Sequence, residues 1–170
     1  MAETCKQFLA DCGINPDRLS LEWASAAEAP RFVELITGYV NSIKEKGELG
    51  SADDEAGEAT IRRRLKAAVV AAQARKPRTA LGNLSKRLHK EGDFSKDAIS
   101  EGVSSKILPA LRAERIKEEL LLVLKEGEKD LDELSSALSA AKEELEKPLA
   151  QLQRKGVVEE KEGRFQLAEK

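Results

Sequence analysis

The chain has 170 residues, of which 41% are apolar, 35% charged and 4% aromatic, a composition that favours one or two small, mainly helical domains. Its net charge of −2 excludes a general attraction to nucleic acid or anionic lipid, and no apolar run is long enough to span a membrane. Two cysteines are too few for a disulfide scaffold, and no signal-peptide pattern is visible, so we expect a cytoplasmic protein.

The N-terminal residues 1–50 predict a short α/β piece in the order helix, strand, helix. The segment 18–23 alternates apolar and polar residues, which is typical of a strand that buries Leu19, Leu21 and Trp23 on one face. Ser25 and Glu28 form a capping-box pattern, and a helix should run from near Ala29 to Lys46. Its predicted buried stripe consists of Phe32, Leu35, Ile36, Tyr39, Val40 and Ile43.

A linker and a basic helical segment are predicted next. Residues 51–57 contain only small and acidic residues, which indicates a linker. Residues 58–111 predict a helix from Glu58 to Arg75, an interruption at Pro77 and a second helix capped by Thr79.

This middle segment has ten cationic residues and no acidic residue between its first and last member: Arg62, Arg63, Arg64, Lys66, Arg75, Lys76, Arg78, Lys86, Arg87 and Lys90. We expect them to form a solvated surface that docks on an acidic partner or on the acidic C-terminal domain, or else one that binds nucleic acid. No aromatic residue that could stack on bases is interleaved, which favours the acidic partner.

Residues 112–170 predict a winged helix-turn-helix domain. One amphipathic helix is expected from Arg112 to Glu126 and a second from a capping box at Asp130 to Leu138. After a turn at Ser139, a third helix should run to about Lys155, and a hairpin that turns at Glu162-Gly163 should follow it. DNA binding is disfavoured because acidic residues stand where the recognition helix would approach phosphates: Glu143, Glu144 and Glu146.

The segment between Gly13 and Phe32 resembles a known sequence, the C-terminal end of the delta (iron–sulfur) subunit of methyl-viologen-reducing hydrogenase. That family has the pattern G-I-x-P-x-R-x-x-L-x-W-x-S-A-x-E-x-x-x-F, which this chain matches in full. A helix that ends near a Leu-Gly pair follows in the family, and Leu49-Gly50 stand there in this chain. The resemblance covers about residues 5–50, and Ala29 replaces the family's usual glycine.

The resemblance implies a place in electron transfer between a hydrogenase or formate dehydrogenase and a heterodisulfide-reductase-like partner. In the family this work uses a [2Fe–2S] cluster held by cysteines upstream of the matched segment. Such a cluster needs four protein ligands, and this chain offers only Cys5 and Cys12, so we expect it to bind no cofactor by itself.

No complete active site is recognisable in the sequence. The single histidine, His89, lies among cationic residues and has no second histidine or cysteine near it, which makes a metal site or a general base improbable. Our first hypothesis is therefore a non-catalytic accessory subunit of a redox complex, with iron–sulfur or flavin subunits as partners. The alternative is a small winged-helix DNA-binding regulator.

Overall fold

A computed structural model describes residues 1–25 and 27–168, of which the larger part is helical: helix occupies 68% of these residues, beside one small three-stranded antiparallel sheet. Chain contacts divide it into two compact units, residues 1–62 and 63–170, with the boundary inside one helix. The helices are α1 Ala2–Asp11, α2 Ala29–Lys46, α3 Glu58–Gln73, α4 Arg75–Glu91, α5 Lys96–Gly102, α6 Leu108–Leu124, α7 Leu131–Leu138 and α8 Lys142–Arg154. The strands are β1 Lys129–Asp130, β2 Val158–Lys161 and β3 Arg164–Leu167.

The N-terminal unit is organised around one buried carboxylate. Asp54 accepts hydrogen bonds from the backbone N–H of Asn15 (2.8 Å), the Arg18 Nε (3.0 Å) and the backbone N–H of Gly50 (2.8 Å). The Arg18 guanidinium also donates to the carbonyl oxygens of Lys46, Gly47 and Glu48 at 2.9–3.1 Å. These carbonyls have no intrahelical partner at the end of α2, so Arg18 caps that helix.

Gly50 is required by this arrangement. Its φ is +82°, and a Cβ atom built there would lie 2.3 Å from the backbone nitrogen of Glu58. Any other residue would therefore force the chain apart where Gly50 donates to Asp54. The Arg18-containing turn and the Leu49-Gly50 pair of the family pattern thus meet at one carboxylate.

The segment 51–57, predicted as a linker, contains this central acceptor. The side chain of Asp54 is fully buried, and Asp53 accepts a hydrogen bond from the Asn15 side chain (2.8 Å). Small and acidic residues indicated a flexible connection, but Asp53 and Asp54 both accept hydrogen bonds from Asn15 in the turn that follows α1. The domain boundaries drawn from the sequence stay a prediction.

The predicted strand at 18–23 is wrong. Pro16–Arg18 forms a 3-10 turn, and residues 19–25 are irregular; no strand lies within the described part of residues 1–62. A strand needs a neighbour to pair its backbone groups, and this unit supplies none. The expectation that Trp23 packs on a strand face is also wrong, because its side chain is 79% exposed.

The predicted start of α2 agrees with the structure, whereas α4 and α6 both begin earlier in the chain than predicted. α2 begins at Ala29 as expected, with Pro30 in its first turn, and the Glu28 side chain accepts from the Ser25 N–H at 2.8 Å. α4 begins at Arg75 instead of Thr79, because a proline in the first turn has no intrahelical donor to lose and Pro77 is tolerated there. α6 begins at Leu108, continuing from α5 through a π-helical turn, Val103–Ile107.

The C-terminal unit has a core that the sequence pattern located well. The capping box of Asp130 and Glu133 is present, and the hairpin turns at Glu162-Gly163. β1 was not predicted; it pairs with β3 and gives the strand order β1-β3-β2. The predicted interior residues of three helices are all buried: Ile116, Leu120, Val123, Leu124, Leu134, Leu138, Leu145, Leu149 and Leu152.

Asp54 gives a test of the N-terminal unit. The change Asp54→Ala leaves the Arg18 guanidinium and two backbone donors without their acceptor, which should cost about 1–3 kcal/mol. We expect faster hydrogen exchange at the C-terminal amides of α2, measured by mass spectrometry. The matched control is Asp53→Ala, whose half-exposed carboxylate should contribute less than about 1 kcal/mol. Equal exchange in both variants would contradict the central role of Asp54.

The same carboxylate predicts a pH dependence. Burial raises the pKa of Asp54, but bonds from Asn15, Gly50 and Arg18 outweigh it, so the folded pKa lies below the ordinary value. This stabilisation is complete above the unfolded pKa of about 3.9 and is lost as the pH falls through the folded value. The difference in exchange between wild type and Asp54→Ala should therefore shrink below about pH 4. A difference that persists at lower pH would show that ionisation of Asp54 is not its source.

Candidate docking surface

The N-terminal unit exposes a set of large apolar side chains that form a candidate docking surface. α2 is amphipathic, and its expected buried stripe is wrong: no residue of α2 is buried. At 100° per residue, Phe32, Val33, Ile36 and Val40 share one side of the helix. Six exposed apolar residues together are called the N-terminal apolar surface: Leu21, Trp23, Phe32, Val33, Ile36 and Val40.

The exposure of this surface has a physical reason. An amphipathic helix buries its apolar side only where another layer of structure covers it. In this unit residues 19–25 form an irregular segment, and Tyr39 of α2 is hydrogen-bonded to the Arg18 carbonyl oxygen just before it. Trp23 and Leu21 remain 79% and 57% exposed, Phe32 and Ile36 56% and 48%.

A groove lies between the irregular segment and α2. It has a volume of about 370 Å³ and is lined by Ser20, Glu22, Ala24, Phe32, Leu35, Ile36 and Tyr39. The Tyr39 hydroxyl donates to the carbonyl oxygen of Arg18 at 2.5 Å, which holds the segment against the helix. A neighbouring cavity of about 550 Å³ adds charged side chains at its edge: Lys6, Asp17, Arg31 and Glu34. An apolar centre with a charged rim is typical of a protein–protein interface.

The ten cations predicted as a docking surface do not form one set. Arg63 and Arg64 are half-buried in the C-terminal unit: Arg63 pairs with the buried carboxylate of Glu119 (3.1 Å) and donates to the Ala137 carbonyl (2.6 Å). The second arginine, Arg64, donates to the Leu138 carbonyl at 3.3 Å. These two residues stabilise that unit. The other eight are exposed: Arg62, Lys66, Arg75, Lys76, Arg78, Lys86, Arg87 and Lys90.

Glu119 is a residue that the sequence analysis did not single out. It lies in α6 among leucines, is fully buried, and also pairs with the buried Arg115 one turn earlier. A buried carboxylate requires paired cations, which explains why Arg63 turns inward. The only available signal was the i, i+4 spacing of Arg115 and Glu119, which does not distinguish a buried pair from a surface pair.

The cysteines and the histidine considered in the sequence analysis lie apart from the N-terminal apolar surface residues in the sequence. Cys12 is buried and Cys5 is exposed, and the expectation that the chain binds no cofactor by itself stays a prediction. The exposed His89 has its Nδ1 2.8 Å from the Ser85 carbonyl, and its ring meets Phe94 edge-on. In residues 1–25 and 27–168 there is no group of three metal-binding side chains. No helix of that part is long and apolar enough to cross a membrane.

Comparison with known proteins supports the resemblance at the N-terminus. Residues 1–47 match the family model of the methyl-viologen-reducing hydrogenase delta subunit, which is under a third of the chain. A ferredoxin:CoB-CoM heterodisulfide reductase subunit of Methanosarcina mazei is 39% identical to this chain over 49 residues. That stretch is 29% of this chain and only 6% of the relative. No solved structure matches the chain significantly. The chain is therefore similar to a hydrogenase subunit family over residues 1–47 and to a heterodisulfide reductase subunit over a stretch of 49 residues.

The exposure of the apolar surface predicts an asymmetry between two isoleucines of the same unit. Ile36→Ser should change the free energy of unfolding by less than about 0.5 kcal/mol, because the side chain already contacts water. Ile14→Ser removes a side chain that is 5% exposed and should cost at least about 2 kcal/mol. Hydrogen exchange of the N-terminal unit measures both. A large loss of protection in Ile36→Ser would mean that α2 buries this face.

Proposed function

We propose that this chain is a non-catalytic docking subunit of a hydrogenase, formate dehydrogenase or heterodisulfide-reductase-type electron-transfer complex. The observation that carries the proposal is that the exposed apolar residues lie within the segment that matches a redox-complex subunit family. The residues that match the hydrogenase delta subunit, 1–47, contain all six residues of the N-terminal apolar surface. Exposed apolar patches of this kind mark interaction sites.

The family pattern supports this use of the segment. Arg18 of the pattern caps α2, and Tyr39, which follows the pattern, holds the irregular segment against α2. Trp23 and Phe32 of the pattern are exposed and do not contribute to a buried core. Large aromatic residues supply much of the binding energy at protein interfaces. Trp23 and Phe32 are therefore proposed as anchors of the contact with iron–sulfur or flavin subunits.

The electron-carrying groups are assigned to those partners. The chain's two cysteines cannot complete a [2Fe–2S] ligand set, so the proposed role is to hold subunits together. The matched stretch forms only 6% of the heterodisulfide reductase relative, which is consistent with a small docking module within a much larger assembly.

We further propose that residues 112–170 are a winged-helix domain that docks on protein. The order of three helices and a hairpin, with a short strand after the first helix, supports this assignment. DNA binding receives no support: the first turn of α8, which would approach the duplex, holds Glu143 and Glu144, and Lys142 is paired with Asp132.

Anaerobic affinity purification from the native host tests the proposed function. Wild-type chain should co-elute with iron–sulfur or flavin subunits in a fixed ratio. The double variant Phe32→Ser/Ile36→Ser should lose these subunits, because it removes two apolar anchors of the contact. Both positions are exposed, so the N-terminal unit should stay folded in this variant.

The chain provides a matched control for that variant. Val69 and Val70 are also exposed apolar residues but lie in α3, outside the matched segment. The variant Val69→Ser/Val70→Ser should retain the redox subunits. Loss from both variants would indicate non-specific apolar contact, and retention by both would show that the N-terminal apolar surface does not dock them.

A further inference from the structure

The outward side of α4 is a cationic surface that the proposed function does not use. α4 is amphipathic: Pro77, Leu84 and Leu88 are buried, whereas Arg75, Lys76, Lys86 and Lys90 are exposed. At 100° per residue these four cations lie within an arc of about 100° opposite the buried side. We call them the basic face of α4; it extends for about 22 Å along the helix.

No carboxylate of the described chain neutralises this face. Arg75, Lys76, Lys86 and Lys90 form no ion pair within residues 1–25 and 27–168, although the chain is rich in acidic residues. The neighbouring Arg87 has one long contact, 3.7 Å, to Glu91. Lys86 and Lys90 stand one turn apart and repel each other, so an anionic partner would relieve that repulsion.

An apolar groove borders the basic face. It has a volume of about 310 Å³, and its lining comes from α4 and the π-helical turn: Ala80, Asn83, Leu84, Arg87 and Lys106. α4 packs closely against the last residue of α5, where the π-helical turn begins, because Gly102 has no side chain; a Cβ there would lie 2.4 Å from a Leu84 methyl group. The floor is therefore apolar and two cations stand at the rim.

We propose that the basic face of α4 and this groove bind an acidic protein segment that inserts one apolar side chain. Carboxylates of the segment would pair with the four exposed cations, and the apolar side chain would cover Ala80 and Leu84. This surface lies in the C-terminal unit and is separate from the N-terminal apolar surface. The inference therefore does not depend on the redox docking proposed above.

The observations favour an acidic protein over nucleic acid. The only aromatic ring between Arg75 and Lys90 is the His89 imidazole, and it packs edge-on against Phe94 at 5.2 Å, so bases find no stacking platform along the face. A phosphate backbone would leave the apolar floor of the groove uncovered. A peptide supplies carboxylates and an apolar anchor together.

Fluorescence anisotropy with the full chain tests this inference. The probe is a labelled glutamate-rich peptide of about 15 residues with one central leucine, which as a helix matches the length of the basic face. A second peptide has serine in place of the leucine, and a labelled DNA duplex of random sequence serves as the competing polyanion. All three are compared at about 0.05 M and 0.15 M salt.

We expect the leucine peptide to bind more tightly than the serine peptide, by about threefold or more, and more tightly than the duplex. The triple variant Lys76→Gln/Lys86→Gln/Lys90→Gln should weaken peptide binding about tenfold. The matched control Lys125→Gln/Lys147→Gln/Lys155→Gln changes the net charge equally at exposed positions outside the face and should stay within about threefold of wild type.

Several outcomes would overturn the inference. Equal weakening by both triple variants would show general charge attraction, and tighter binding of the duplex would identify a nucleic-acid surface. Equal affinity for the two peptides would remove the groove from the proposal. The variant Phe32→Ser/Ile36→Ser should bind the peptide like wild type, so a failure of redox docking and a failure of this surface give different results.

Discussion

The Asp54 carboxylate and the Arg18 guanidinium hold the N-terminal unit in shape. Asp54 joins the turn after α1 to the chain beyond α2, and Arg18 extends this network to the last carbonyls of α2. The described residues of this unit contain no strand, and these polar contacts position α2 and the irregular segment beside it. Phe32, Ile36 and Val40 of α2 remain exposed in this arrangement.

The C-terminal unit is stabilised differently. Leucines of α6, α7 and α8 pack with the hairpin residues Val158 and Phe165 in one apolar core, and α6 also contains the buried Glu119, which has two arginine partners. The buried charge determines which basic residues face inward. As a result the cationic segment of the chain is divided, because Arg63 stabilises the fold while Arg75, Lys76, Lys86 and Lys90 of α4 are exposed.

The two surfaces have different chemistry and belong to different units. The N-terminal apolar surface offers aromatic anchors, and the basic face of α4 offers charge beside a small apolar groove. Apolar anchors contribute mainly to affinity, and complementary charge contributes mainly to association rate and specificity. The proposed docking roles of the two surfaces would therefore differ, and each can be tested without the other.

Local patterns in the sequence determined most of the helices, the Asp130 capping box, the hairpin and the leucine core, because each depends on residues close in the chain or on a regular period. The motif around Arg18 also indicated the redox-subunit resemblance. Only the tertiary structure decided that the 18–23 segment has no strand partner, that α2 leaves its apolar side exposed, and that Asp54 in the predicted linker binds Arg18. Periodicity shows that a face is apolar or cationic, but whether another element covers it depends on contacts between residues distant in sequence, as Arg63 and Glu119 demonstrate.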